Sequence, residues 1–258
     1  MPLLVRKRGV ATIHRKPVLA QQLGWFSSYP YGEILSKVFK LIKKEFSLFE
    51  YPLKNVRSFP VSQWSVSNKK NFILSLNTSY PNISGEYRRD RKARLKQSKR
   101  LNLRMNKSEK SDQLITLFEE YVAPKIFGGV DKPTLQSILT LIDNALSREA
   151  GFLCHVTNES NDIVSSAFFL IFKNRLIYTF SATTAEGLRT NANTFLIDSV
   201  IREYANTNYV FDFKGSDVPG IADFYLSFGA TQETYQVLDY KSGWAKAYIR
   251  LRKALSKK

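Results

Sequence analysis

The period of the apolar positions changes several times along the chain, and the changes divide it into elements. After Pro133, the residues Leu135, Ile138, Leu139, Ile142, Ala145 and Leu146 recur at i, i+3, i+4 and i+7, which predicts an amphipathic helix with proline in its first turn. Leu114, Leu117, Phe118 and Tyr121 mark a helix before it, with Ser108 or Ser111 as N-cap and Gly128-Gly129 as the stop. GFLCHVT, IVSSAFFLIFK and LIYTFSA follow, separated by the turn signals NESND and KNR, and read as three antiparallel strands in a meander. TTAEGLRTN reads as a loop, and Asn193 to Tyr204 as a helix with Leu196, Ile197, Val200 and Tyr204 inward. YVFDF is a strand, PGIADFYLSF a helix and TYQVLDY a last strand, before the basic tail KAYIRLRKALSKK.

Ahead of this lies a shorter version of the same alternation. MPLLVRKRG and VATIHRK predict two strands, Ile34, Leu35, Val38, Phe39, Leu41, Ile42 and Phe46 a helix, and FSLFEYPL and NFILSLN two more strands. Between the halves, YRRDRKARLKQSKR is rich in helix formers, and only Ala93 and Leu95 interrupt its charges. Such a helix is solvated or faces an anion. LNLRM then alternates like a half-buried strand. The mixture of strands and helices places the chain in the α/β (α+β) class.

Composition narrows the function classes. No apolar run reaches the ~18 residues of a membrane-spanning helix, and MPLLVRKRGVATIHRK is too charged for a signal peptide, so a cytoplasmic protein is expected. The single cysteine, Cys154, sits in a strand and reads as a buried structural thiol. His14 and His155 stand far apart without a Cys or carboxylate cluster, which argues against a metal site or a Ser-His-Asp triad. The 39 Lys+Arg against 22 Asp+Glu leave a formal charge of +17, and about half of that surplus falls between Arg88 and Lys110. A field of this sign attracts polyanions, acidic lipid surfaces or phosphate-bearing small molecules.

The stretch Tyr209 to Ala230 carries more specific information. Asp212-Phe213, Gly215-Ser216, Gly220-Ile221 and Phe224 to Ala230 follow the pattern DF-x-G-S…G-I…F-Y-x-x-F-G-A, and Arg88, Lys92 and Lys96 follow R-x-x-x-R-x-x-x-K. Pro2, Leu3, Arg6-Lys7 and Gln21 to Gly24 match an opening P-L-x-x-R-K…Q-Q-L-G. In these features the chain resembles the tandem-GNAT, FemAB-like class of acetyltransferases. The resemblance implies a GNAT-like acyl-CoA N-acyltransferase fold in tandem, with a truncated N-terminal unit over residues 1–84, a basic connecting helix over 85–100 and a complete acyltransferase domain over 101–258.

It also implies a chemistry, in which an acyl group passes from a thioester, acetyl-CoA or another acyl-CoA, to an amine without help from a metal. Tyr225, four residues before Gly229, matches the GNAT tyrosine whose hydroxyl faces the thioester sulfur, and its bland alternative is a core aromatic. Asp212 is either a base for the incoming amine or the partner of a basic group such as Arg88. Arg189, Asn191, Ala192, Asn193 and Thr194 occupy the place of the R/Q-x-x-G-x-G/A pyrophosphate loop, but alanine and threonine replace its small residues. The segment therefore reads either as a phosphate site at a helix N-terminus or as an ordinary helix start capped by Asn191 or Asn193. Arg88, Lys214 and Ser216 are candidates for binding the acceptor, a small molecule or a peptidoglycan-precursor-like amine. Fem-type ligases, which take an amino acid from tRNA, usually carry lysine where this chain has Tyr225-Leu226-Ser227, which puts tRNA-dependent transfer second. A non-catalytic, tRNA- or anion-binding relic of the fold is the remaining alternative.

Overall fold

The computed structural model describes residues 2–23, 31–53, 64–126 and 128–255. Contacts group the chain into two compact units, Met1–Lys70 with Thr234–Lys258, and Asn71–Glu233. Gly24, part of the matched opening pattern, lies outside the described residues.

In the first unit, β1 (Val5–Arg8) and β2 (Ala11–His14) form an antiparallel hairpin. α1 (Tyr31–Glu45) leads to β3 (Leu48–Leu53), which runs parallel to β2. Phe39, Ile42 and Phe46 of α1 and its exit pack with Phe49, Tyr51 and Leu53 of β3 in a largely aromatic core. Burial of such rings supplies most of the stabilisation of so small a layer. Leu41, one of the apolar residues that mark the helix, is 59% exposed; the apolar run in α1 is wider than the face its sheet can cover.

The second unit begins with the Asn71–Ser75 part of β4 (Ser65–Ser75), α2 (Tyr80–Gly85) and the basic helix α3 (Arg89–Ser98). β5 (Arg104–Ser108), α4 (Ser111–Tyr121), α5 (Lys132–Ser147) and the meander β6 (Gly151–Thr157), β7 (Ile163–Phe172) and β8 (Arg175–Thr183) follow. α6 (Ala185–Arg189), α7 (Ala192–Glu203), β9 (Val210–Lys214) and α8 (Pro219–Leu226) complete it. Its strands lie in the order β4-β9-β8-β7-β6-β5, antiparallel except for β8 and β9. Leu196, Ile197, Val200 and Ile201 of α7 join Phe169, Leu176, Phe211 and Phe213 in the core. Cys154 on β6 is 0% exposed, and burial, with Glu203 second, pushes its thiol up to about 12.

The last strand of the chain, β10 (Thr231–Lys241), pairs antiparallel with β3, and α9 (Gly243–Leu255) follows.

The expected α/β, GNAT-like fold is the observed one, with local corrections. Neither Ser108 nor Ser111 caps α4: the Ser108 Oγ accepts from the Lys110 N–H, and the Ser111 hydroxyl donates to Asp143 of α5. Asp131 caps α5, accepting from the Thr134 N–H at 2.8 Å. β5 starts three residues later than LNLRM suggested, because Leu101 and Asn102 turn the chain, Asn102 at φ 48°. The expected loop TTAEGLRTN contains α6, whose start is capped by the Thr184 hydroxyl accepting from the Gly187 N–H at 3.0 Å. Glycine is needed there, since a Cβ would stand 2.0 Å from the Val164 carbonyl oxygen. The basic tail is largely helical, as α9.

Candidate active site

β8 and β9 pair over only three positions, Arg175 with Val210, Leu176 with Phe211 and Ile177 with Asp212. Beyond them β8 continues to Thr183 along β7, while β9 stays with β4 through a bulge between Phe72 and Ile73. The two parallel strands therefore diverge after Ile177, and β8 presents an edge no longer bonded to β9. Part of that edge is satisfied locally: the Thr179 hydroxyl donates to the Ile177 carbonyl at 2.9 Å, and the Lys214 Nζ lies 3.5 Å from the Thr179 carbonyl.

The paired end is held by ions. Arg175 donates to Asp212 at 2.6 Å and to Glu233 at 3.2 Å, and the other oxygen of Asp212 accepts the Lys214 N–H at 2.9 Å. The buried Asp212 is thus engaged in pairing, and its partner is Arg175 where Arg88 was expected. Lys214 itself has φ 63°, so the chain turns sharply as it leaves the strand.

Tyr225 stands on α8, its ring against Phe213 at 5.0 Å and Phe72 at 5.9 Å between centroids. It is half-buried, and its hydroxyl makes no hydrogen bond among the described residues. Burial raises its pKa, with Tyr178 adding to the effect, so the phenol is protonated at neutral pH and can act as an acid. Tyr178, the first residue of β8 past the divergence, donates to the Asn193 Oδ1 at 2.9 Å, and its oxygen accepts from the Ser181 hydroxyl at 2.7 Å.

The candidate phosphate loop lies between α6 and α7. Asn191 adopts the left-handed conformation at φ 57° and does not cap α7 through its side chain, which reaches the Gln97 Oε1 of α3 at 3.2 Å. Asn193 does not cap either, because its oxygen serves Tyr178. The capped start considered from the sequence is not formed, and the first-turn amides of α7 have no side-chain acceptor. Ala192 is fully buried, and Arg189 is exposed at the last residue of α6 with no hydrogen bond or ion pair among the described residues.

The other two substrate candidates are engaged nearby. Arg88 is exposed and clamps Asp223 at 2.6 Å and Asp90 at 3.1 Å, which removes it from the role of an uncommitted anion binder. The Ser216 Oγ accepts the Val218 N–H at 3.1 Å just before α8.

Sequence reasoning missed Arg91, a member of the helix expected to be largely solvated. Its side chain is 3% exposed, donates from Nε to the Ser227 Oγ at 2.8 Å and from Nη1 to the Thr194 Oγ1 at 2.6 Å, and lies 4.3 Å from the Phe224 ring centroid. It joins α3 to the first turn of α7 and to the end of α8. Burial pulls its pKa down to about 10, with the neighbouring Arg94 second. The remaining face of α3 opens on a cavity of about 630 Å³ whose lining includes Tyr80, Tyr87, Lys92, Lys96, Lys99 and Arg100. Lys92 donates to the Gly85 carbonyl, and Lys99 lies 3.8 Å from the buried Asp198 of α7. Among the described residues no group of three His, Cys, Asp or Glu is placed to hold a metal ion.

Solved structures share this fold. FemX matches with a TM-score of 0.64 at 10% identity, over 96% of this chain and 85% of its own. The C-terminal domain of an Agrobacterium fabrum protein described as a lysylphosphatidylglycerol synthetase matches at 0.59 and 11% identity, covering 98% of this chain and 85% of that domain. L-PGS from Bacillus licheniformis matches at 0.57 and 13% identity, over 93% and 81%. No family model matches the chain, and no curated protein matches it by sequence.

Proposed function

We propose that the second unit transfers an acyl group from an activated donor, an acyl-CoA thioester, to an amine, in the space where β9 leaves β8. The observation that carries this reading is the divergence itself, beside a half-buried tyrosine whose hydroxyl has no protein partner among the described residues. A neutral amine nitrogen attacks the donor carbonyl; a C–N bond forms, the C–S bond breaks, the Tyr225 proton passes to the departing thiolate, and the proton shed by the acylated nitrogen passes to solvent, from which the Tyr225 phenolate is reprotonated. The Lys214 ammonium, poised over the β8 edge at the Thr179 carbonyl, is placed to meet the donor's polar arm. Arg189 and the first-turn amides of α7, which no side chain caps, are the donors offered to phosphate on this scheme. Most of the acceleration on this scheme comes from holding the two reactants together. The fold likeness to FemX supports group transfer of this general kind.

Titration calorimetry with acetyl-CoA tests the donor: saturable binding is expected, and no heat at high micromolar concentration would remove acyl-CoA from the scheme. Thiol release in the presence of an amine panel then tests the acid. Tyr225→Phe should lower kcat ~100-fold with little change in KM, the lower end of what a general acid contributes. An unchanged kcat removes Tyr225 from the mechanism.

A second reading, aminoacyl transfer from tRNA or simple tRNA binding, is favoured by one observation, the cavity rimmed by Lys92, Lys96, Lys99 and Arg100. It predicts tRNA binding that weakens steeply with salt.

A further inference from the structure

α9 carries a feature that group transfer does not use. Trp244, Tyr248 and Leu251 recur at i, i+4 and i+7 and so share one helical face. They are 47%, 59% and 62% exposed, whereas Ala245 is buried and Ile249 partly buried on the side that meets the protein. Lys246 and Arg250 fall on a third side, turned away from the apolar row, and every charged residue after Asp239 is Lys or Arg.

We propose that α9 is a membrane-surface anchor, lying in the headgroup plane of an anionic bilayer with Trp244, Tyr248 and Leu251 inserted. Charge decides the occupant. A row of aromatic and leucine side chains alone would suit another protein equally, but a helix whose charged residues are all cations repels a second copy of itself and attracts acidic headgroups. Trp and Tyr are also the side chains that settle at the boundary of hydrocarbon and water, where ring and polar tip are both satisfied. Among the described residues no helix is long and apolar enough to cross a membrane, so attachment through α9 is peripheral and salt-sensitive.

The test is co-sedimentation of the full chain with vesicles of phosphatidylcholine alone and of phosphatidylcholine with phosphatidylglycerol, with tryptophan emission recorded in parallel. Binding to the anionic vesicles with a blue shift is expected, lost by about tenfold or more in Trp244→Ser/Tyr248→Ser/Leu251→Ser and weakened in Lys246→Gln/Arg250→Gln. The proposal is overturned if neither vesicle binds, if the triple variant binds as the wild type does, or if both compositions bind equally. A wild-type dimer dissolved by the triple variant, without vesicle binding, would assign the face to self-association instead. None of these readouts needs transferase activity.

Discussion

Replacing Arg91 separates what its charge contributes from what its carbon stem contributes. Its two hydrogen bonds, at 2.8 and 2.6 Å, come from a charged donor and are each worth ~1.5–3 kcal/mol. The rings of Phe224 and Phe228, at 4.3 and 4.8 Å, add ~2 kcal/mol of cation–π attraction. Against these stands burial, which holds the pKa down at about 10; at ~1.4 kcal/mol per tenfold shift this is a cost of roughly 3 kcal/mol to the charged form, before the further expense of burying any polar head. Replacing a buried charged side chain by a well-packed apolar one of similar length is commonly close to neutral, so Arg91→Met, which keeps the stem, should change stability by no more than ~1 kcal/mol. Arg91→Ala opens a cavity beneath Phe224 and leaves the Thr194 hydroxyl without its donor, and should cost ~3 kcal/mol. In calorimetry that is a fall in Tm of roughly 6–12 °C for alanine and under ~4 °C for methionine. If methionine proves as damaging as alanine, the fork of hydrogen bonds and not the packed stem holds α3, α7 and α8 together, and the accounting is wrong.

Two further predictions concern the paired end of the diverging strands and the histidines. Asp212→Ala should lose ~3–5 kcal/mol, because it strands the partly buried Arg175, while Arg175→Met/Asp212→Leu should recover most of that loss in the same denaturation assay; a recovery of less than half would mean the pair is more than a structural clamp. His14 and His155 are buried, and burial lowers the pKa of each below 6.5. Below about pH 6.5 the unfolded chain takes up protons that the folded chain refuses, so Tm should be level above neutrality and fall steadily toward pH 5. A His14→Phe variant should fall less steeply, and a Tm that rises with acid contradicts the assignment.

The meander was legible because NESND and KNR break three strongly β-forming runs, and α5 because its apolar spacing and Pro133 agree. α6 was not, since AEGLR has no apolar stripe and is fixed by a threonine cap and a backbone contact at Gly187 that only the third dimension reveals. Arg91 was hidden for a related reason. Among neighbouring arginines and lysines of the same helix, nothing in the letters tells which one turns inward, and the signal lies instead in the small hydroxyls Thr194 and Ser227 and the ring of Phe224, distant in sequence. Tyr225 was placed correctly on a short helix by its spacing to Gly229, but its neighbours Phe72 and Tyr178 come from strands whose register no local pattern specifies.

Cys154 has a practical consequence. Its thiolate scarcely forms at neutral pH and no reagent reaches it from solvent, so the wild-type chain is chemically silent toward maleimides. A spin label or fluorophore attached through one engineered thiol, at Ser216 or on α9 for instance, would report from that place alone, without first removing the native one.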